Sequence, residues 1–209
     1  MLIMGLTGGI GAGKNSVAKF LEKLGAFIID ADITSRELVK SGSCAWQEIV
    51  HVFGREILDE NGEIDRKKLG KAVFKNSEKR DALNNILHPK IIEEEWKKVS
   101  IIREKNPNSL IVINAALLIE SGNYKDVDIV VLVTAKVDTM IERMMMRDNF
   151  SKEEAMSRLN AQMPLKDKQK YADYVIGNDG SLKELGKKVW QLTTKLQNEY
   201  KNRFNLTHQ

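Results

Sequence analysis

Residues 5–17 read GLTGGIGAGKNSV, and the spacing from Gly8 across four residues to Gly13 and Lys14 is that of a phosphate-binding P-loop. Met1 to Leu6, ahead of it, is a run of buried-strand type. Behind it Val17, Phe20, Leu21 and Leu24 recur at helical spacing until Gly25 supplies a stop. Strand, glycine loop and helix follow in the order the motif requires. Glycines there permit backbone angles that turn amide N–H groups inward around phosphate oxygens, at the positive end of a helix dipole. Lys14 adds a movable charge for the β- and γ-phosphates. The cradle is therefore assigned to Gly9, Ile10, Gly11, Ala12, Gly13, Lys14, Asn15 and Ser16.

The residue after a P-loop lysine is normally a serine or threonine that holds magnesium, and here it is Asn15. Successive helical residues are rotated by about 100°, so the Ser16 hydroxyl faces a different sector and does not take over that place. The Asn15 amide oxygen is a neutral, hard donor, and magnesium keeps several waters in any case. The expectation is weak Mg2+ ligation by Asn15, directly or through water.

Working outward, AFIID (26–30), LIVIN (110–114), DIVVLV (128–133) and, more weakly, YADYVI (171–176) read as further short buried strands. Apolar runs alternating with helical patterns imply a parallel sheet covered on both faces. From Ile33 to about Trp96 the pattern is mostly helical and polar, with turn signals at SGS and DENG. VDTMIERMMMRD (137–148) reads as a helix, with Met144, Met145 and Met146 as packing residues. Ser151 with Glu154 makes a capping box for a second helix reaching about Ala161. Leu182, Leu185, Val189, Leu192 and Leu196 form one stripe of a basic tail helix, read as core packing. Pro89, Pro107 and Pro164 are placed at element ends, and no repeat or linker is apparent.

With 209 residues, 42% apolar and 30% charged, the chain suits one good core and a small inserted subdomain. The net charge of +4 suits polyanionic ligands without demanding nucleic acid. One cysteine allows no internal disulfide and no paired Cys/His spacing points to zinc, which fits a cytoplasmic protein. No run approaches the roughly 20 apolar residues of a membrane span.

Two segments imitate a GTPase. DENG (59–62) fits DxxG but lies between helical stretches, and AKVD (135–138) lacks the first Asn or Thr of a base-reading motif. A kinase reading gains from IIDAD (28–32), a strand ending in carboxylates beside the P-loop, where a base could meet an acceptor hydroxyl. Asp30 and Asp32 are both candidates, and either can instead cap the following helix. Arg36, four residues after Asp32, can orient that carboxylate or meet an anionic substrate. Arg143 and Arg147 share a helix face, and Arg158 comes from the next helix. They form either a basic hairpin over the phosphates or a solvated face paired with Glu142, Asp148 and Glu153.

Together these residues give the chain a resemblance to the dephospho-CoA kinase family over nearly its whole length. The match runs from GLTGGIGAGK through IIDAD with Arg36, FGREILDENGEIDRKKL (53–69), HP (88–89), LLIESG (117–122), RMMMRD (143–148), AQM (161–163) and ADYVIGNDG (172–180). The resemblance implies ATP-dependent phosphorylation of the ribose 3′-hydroxyl of dephospho-CoA, with Mg2+ as cofactor. It implies Asp32 as general base, and Lys14 with Arg143 as the groups that neutralise the phosphoryl group in flight. Arg36 and His88 would bind substrate, and Arg147 and Asn178 ATP. The family usually carries a hydroxyl residue where Asn15 stands, and Pro-Leu-Leu where this chain has Ala116, Leu117 and Leu118.

The fold expected is an α/β three-layer P-loop NTPase fold with a five-stranded parallel sheet, an inserted helical substrate domain and a helical lid. Residues 1–32, 99–136 and 167–209 form the nucleotide-binding core, 33–98 the CoA-substrate domain and 137–166 the lid. The expected partners are ATP and dephospho-CoA, with no nucleic acid and no membrane, in a monomer or small homo-oligomer. Another small-molecule kinase, or an impaired nucleotide-binding homologue because of Asn15, remains the alternative.

Overall fold

A computed structural model of the chain describes residues 1–74, 76–200 and 203–206. Position 75 in the expected substrate domain, and 201, 202 and 207–209 in the expected core, lie outside the described residues. In chain order the elements are β1 (Leu2–Gly8), α1 (Lys14–Lys23), β2 (Phe27–Asp30), α2 (Ala31–Leu38), α3 (Cys44–Phe53), α4 (Arg66–Phe74) and α5 (Ser77–Lys105). There follow β3 (Leu110–Asn114), β4 (Ile129–Thr134), α6 (Val137–Asp148), α7 (Lys152–Asn160), α8 (Leu165–Lys168), β5 (Tyr174–Gly177) and α9 (Leu182–Glu199). The chain divides into two compact units, Met1–Asp30 with Val99–Gln209, and Ala31–Lys98.

The first unit is built on a five-stranded sheet of order β2-β3-β1-β4-β5 in which every pairing is parallel. Strands buried on both faces are apolar along their length, and LIVIN and IVVLVT are so up to one polar last residue each, Asn114 and Thr134. On one face Val17, Ala18 and Leu21 of α1 share a core with Leu185, Val189, Leu192 and Leu196 of α9. Gly186 lets these helices close up, since a Cβ there would stand 3.0 Å from the Phe20 ring. This is the three-layer α/β arrangement the alternation of strands and helices implies.

Two aspartates set the sheet's register. Asp128 accepts from the Ile3 N–H at 2.8 Å while its own N–H donates to the Ile3 carbonyl, and Asp173 does the same to Val130. Each stands ahead of a strand and brackets the neighbouring one. That use of Asp173 delays β5 to Tyr174, three residues after the YADYVI run begins. The capping box of Ser151 and Glu154 is present, and Ser181 with Glu184 makes a second at the start of α9.

Three sequence expectations need correction. Leu182, at the first residue of α9, is 67% exposed because the helix begins a turn before its stripe reaches the core. Met144 is fully buried, but Met146 is 80% exposed, since residues about 100° apart cannot all face one core. Pro89 lies inside α5 rather than at its end. The ring removes one N–H, but the rest of a 29-residue helix sustains the element across the gap.

The second unit has its own core of Ile49, Phe53, Ile57 and Leu58, packed against Trp46, Leu69, Leu83 and Leu87 among others. DENG is the ordinary turn its position implied: Asp59 Oδ1 accepts from Asn61 and Glu63 N–H, and Gly62 takes φ 79°. Trp46 Nε1 donates to the Gly62 carbonyl at 3.0 Å and fixes that turn against α3. Lys98, late in α5, binds Thr34 Oγ1 and Glu37 of α2.

Candidate active site

The loop joining β1 to α1 is shaped by two left-handed glycines, Gly11 at φ 80° and Gly13 at φ 90°. Neither tolerates a side chain. A Cβ on Gly11 would stand 2.5 Å from the Met140 carbonyl oxygen of α6, and one on Gly13 would stand 2.1 Å from Asn178 Nδ2. Asn178, in the loop after β5, donates that amide to the Ala12 carbonyl at 2.8 Å. Arg143 Nη1 donates to the carbonyls of Gly11 and Ala12 at 3.3 and 3.4 Å, and its Nη2 to the Asn178 carbonyl at 2.9 Å. In a planar trans peptide the next N–H points opposite to the carbonyl. Drawing the Ala12 carbonyl outward therefore turns the Gly13 N–H toward the loop interior, where an anion is received.

The loop's apex is fastened to the α6–α7 hairpin. Ile10 packs into the small core of Ile141, Met144, Ala155 and Leu159, and its N–H donates to Gln162 Oε1. Gly9 lies against Leu165 at the start of α8. Arg147 makes a two-pronged pair with the neighbouring Asp148, whose carboxyl it holds below the usual range chiefly through those hydrogen bonds. Arg158 stacks over the Phe150 ring at 4.2 Å, so the three arginines of the hairpin do different things.

Lys14 is almost entirely buried, and its Nζ donates to Asn114 Oδ1 at 2.5 Å. Asn114 is the last residue of β3, in register with Leu6 of β1 and Asp30 of β2. Its Nδ2 donates to Asp30 Oδ2 at 2.6 Å and to Asn15 Oδ1 at 3.2 Å. Asn15 thus uses one lone pair of its amide oxygen inside the protein. Ser16 continues the helix, its N–H bound to the Gly13 carbonyl. Sequence reasoning missed Asn114, and the available signal was a polar residue ending an otherwise apolar strand beside the P-loop.

Two further residues were missed. Lys168 is fully buried at the end of α8, where its Nζ binds the Ala116 carbonyl at 2.8 Å and Glu120 Oε1 at 2.9 Å. Thr7 Oγ1 donates to the same Ala116 carbonyl. In the second unit, Arg66 opens α4, and partial burial first, then the like charge of Arg36, hold its guanidinium below the usual range while Asp32 opposes them. Asp32, Arg36 and Arg66 therefore form one mixed-charge group. Asp32 and Arg36 stand one turn apart on α2 and both are exposed. His88 is partly buried in α5, directly before Pro89.

Mg2+ was expected from the residues, and the donors present suit it. Asn15 Oδ1 and the Asp30 carboxylate are hard oxygens joined through one Asn114 amide. Among the described residues no cluster of three or more His, Cys, Asp or Glu could hold a metal. A magnesium ion carried largely by substrate phosphates and water needs only one or two protein oxygens. Among the described residues no helix is long and apolar enough to cross a membrane.

The geometry compares closely with known proteins. The family model described as dephospho-CoA kinase matches residues 2–184. A dephospho-CoA kinase from Bacillus anthracis is 46% identical over 181 residues, which is 87% of this chain and 90% of that protein. Among solved structures, one from Thermus thermophilus superposes with a TM-score of 0.78 at 30% identity, covering 93% of this chain and 97% of its own. Dephospho-CoA kinase from Campylobacter jejuni superposes with a TM-score of 0.69 at 26% identity, over 95% of this chain and 98% of that one.

Proposed function

The chain belongs to the dephospho-CoA kinase family, and from that premise we propose that it moves the γ-phosphoryl group of ATP onto the ribose 3′-hydroxyl of dephospho-CoA, giving ADP and coenzyme A. The transfer is direct and in line, without a phospho-enzyme. The bond between the γ-phosphorus and its bridging oxygen to ADP breaks as the acceptor oxygen attacks, and the hydroxyl proton passes to a base. Phosphoryl transfer asks the protein mainly for positioning and charge neutralisation.

Each task has an assigned group. The P-loop amides from Gly9 to Ser16 receive the phosphates, and Lys14 and Arg143 neutralise the group in flight. Asp32 takes the acceptor proton, and Arg36, His88 and Arg66 bind dephospho-CoA within 33–98. Residues 137–166, the α6–α7 hairpin and its exit, act as the lid that excludes water, with Arg147 on its outer part as an ATP contact. Asn178 serves ATP by shaping the loop floor and presenting the β5 exit toward the base. Asp30 and Asn15 would hold Mg2+, which would supply positive charge to the phosphates when bound. A cytoplasmic location suits a single, unpaired-by-disulfide cysteine, Cys44.

The observation that carries this reading is the placement of buried Lys14 at the head of a P-loop whose carbonyls are drawn back by Arg143. The experiment is a panel of acceptors with ATP and magnesium, read as ADP release and product mass. Dephospho-CoA should be phosphorylated in clear preference to nucleosides, nucleotides and shikimate. Preference for another acceptor would assign a different small-molecule kinase, and tight ATP binding with no transfer would assign an impaired homologue.

A further inference from the structure

We propose that Asn114 is a positioning residue of phosphoryl transfer, and that Asn15 and Asn114 act as one unit. The inference rests on the kinase reading above. Asn114 is 1% exposed and closes a strand whose other four residues, Leu110 to Ile113, are buried and apolar. A polar amide in such a place is costly unless its bonds are made. Here both ends are used at once: the oxygen accepts from Lys14, and the nitrogen donates to Asp30 and to Asn15. The three partners come from two elements, the first two residues of α1 and the last of β2.

No other residue type of this size does the same. Lys14 offers only donors, and an ionised Asp30 offers only acceptors, so the orientation of the amide between them is fixed. An aspartate would keep an acceptor for Lys14 but set lone pairs against Asp30, and would require the Asn15 amide to turn over. A leucine, of the same branched shape but bulkier, would bind none of them. The amide at 15 completes the set, because its oxygen takes the second Nδ2 proton. The Asn15 side chain, anomalous as a P-loop residue, is thereby tied to the residue that also holds the lysine and the carboxylate.

The consequence is a separation of effects. The phosphate cradle is backbone held by Gly11, Gly13, Arg143 and Asn178, none of which touches Asn114 in these hydrogen bonds. Loss of Asn114 should misplace Lys14 and Asp30 while leaving the cradle formed. Misplacement of such groups by about 1 Å costs on the order of a hundredfold in rate.

The test is steady-state kinetics on Asn114→Leu, Asn114→Asp, Asn15→Ala and the Asn15→Ala/Asn114→Leu double variant, with ATP and dephospho-CoA. Both Asn114 variants should lose about 10- to 100-fold in kcat, with the KM for ATP within about threefold of wild type. The double variant should fall no more than about twofold below the worse single, since one unit is broken once. Asn114→Leu turnover within twofold of wild type overturns the proposal, and so do single losses that multiply in the double. Circular dichroism and melting temperature check each fold. If Asn114→Leu fails to fold, the near-isosteric Asn114→Asp carries the same kinetic criterion. Wild-type turnover separates the two readings: its absence defeats the kinase assignment, whereas its presence with Asn114 variants unaffected defeats only this one.

Discussion

The Ile10 N–H donates to Gln162 Oε1 at 2.9 Å, although 152 residues separate them in the chain. The same Ile10 side chain packs between α6 and α7, so the P-loop apex and the hairpin that carries Arg143 are joined by a hydrogen bond and an apolar wedge. Gln162→Ala removes the first and leaves the second. It should lower stability by about 1 kcal/mol, the usual worth of one such bond, and raise the KM for ATP severalfold as Arg143 loses its fixed distance from the loop. Denaturant unfolding and an ATP titration check the two parts. Unchanged values for both would mean that the wedge alone sets the geometry.

Gly13 fails as alanine for two separable reasons. Its φ of 90° strains any L-residue, by about 1–2 kcal/mol, and the new methyl meets Asn178 Nδ2 at 2.1 Å. Gly13→Ala should weaken ATP binding about 5- to 30-fold on the strain alone, taken at about 1.4 kcal/mol per decade. Adding Asn178→Ala removes the clash but not the strain. Titration of ATP should show the double variant recovering part of the loss, and full recovery would show that the backbone adapts freely.

The P-loop spacing, the LIVIN strand, the 137–148 helix and the Ser151–Glu154 box are local patterns, each set by residues within a few turns of one another, and the structure places them where the patterns do. Asn114 and Lys168 could not be read in that way. Their partners lie 84 to 100 and 48 to 52 residues off, brought near by sheet order and not by spacing. Pro89 misled for a related reason. A local breaker was outweighed by the length and packing of the helix around it, which no rule about prolines alone contains. Leu182 and Met146 carried the right residue type but sat outside the arc that meets the core.

Tyr174 provides a pH test of the seam between β5 and α9. Its hydroxyl donates to Glu199, and that hydrogen bond first, with partial burial second, pushes the phenol up from 10.0 to about 12. A folded-state value raised above the unfolded one gives stability that is complete below about pH 10 and lost as pH rises through about 12. Tyr174→Phe should therefore be less stable than wild type at neutral pH, and the gap should close as pH climbs between those values. Urea unfolding at a series of alkaline pH values reads it. A gap constant across the range would show that the hydroxyl contributes nothing through its proton.

Lys168 tests how α8 is pinned. Its ammonium is fully buried, while the Glu120 side chain is 21% exposed, so removing the cation leaves a carboxylate partly screened by water. Lys168→Met should cost about 2–4 kcal/mol, at or below the range for breaking a buried pair. Removing both charges, as Lys168→Met with Glu120→Leu, should recover most of that, because the desolvation penalty disappears with the attraction. Chemical denaturation of Lys168→Met, Glu120→Leu and the double variant measures the cycle. A double variant as unstable as Lys168→Met would transfer the weight to the Ala116 carbonyl, which also accepts from Thr7.

The proposed base gives the sharpest kinetic test. Asp32 is exposed in the first turn of α2, within a group that includes Arg36 and Arg66. Asp32→Asn keeps the size, but it cannot take a proton. General-base assistance is worth about 10²–10⁴-fold, so kcat should fall by about that factor. ATP binding, made in the P-loop of the other unit, should change by less than about twofold, because Arg143 and Asn178 hold the cradle carbonyls. If turnover survives within about tenfold, the carboxylate acts by orienting substrate or Arg36 and the proton leaves by another route. If Asp30→Asn then shows the larger loss, the base is the other aspartate of IIDAD, the one bound to Asn114.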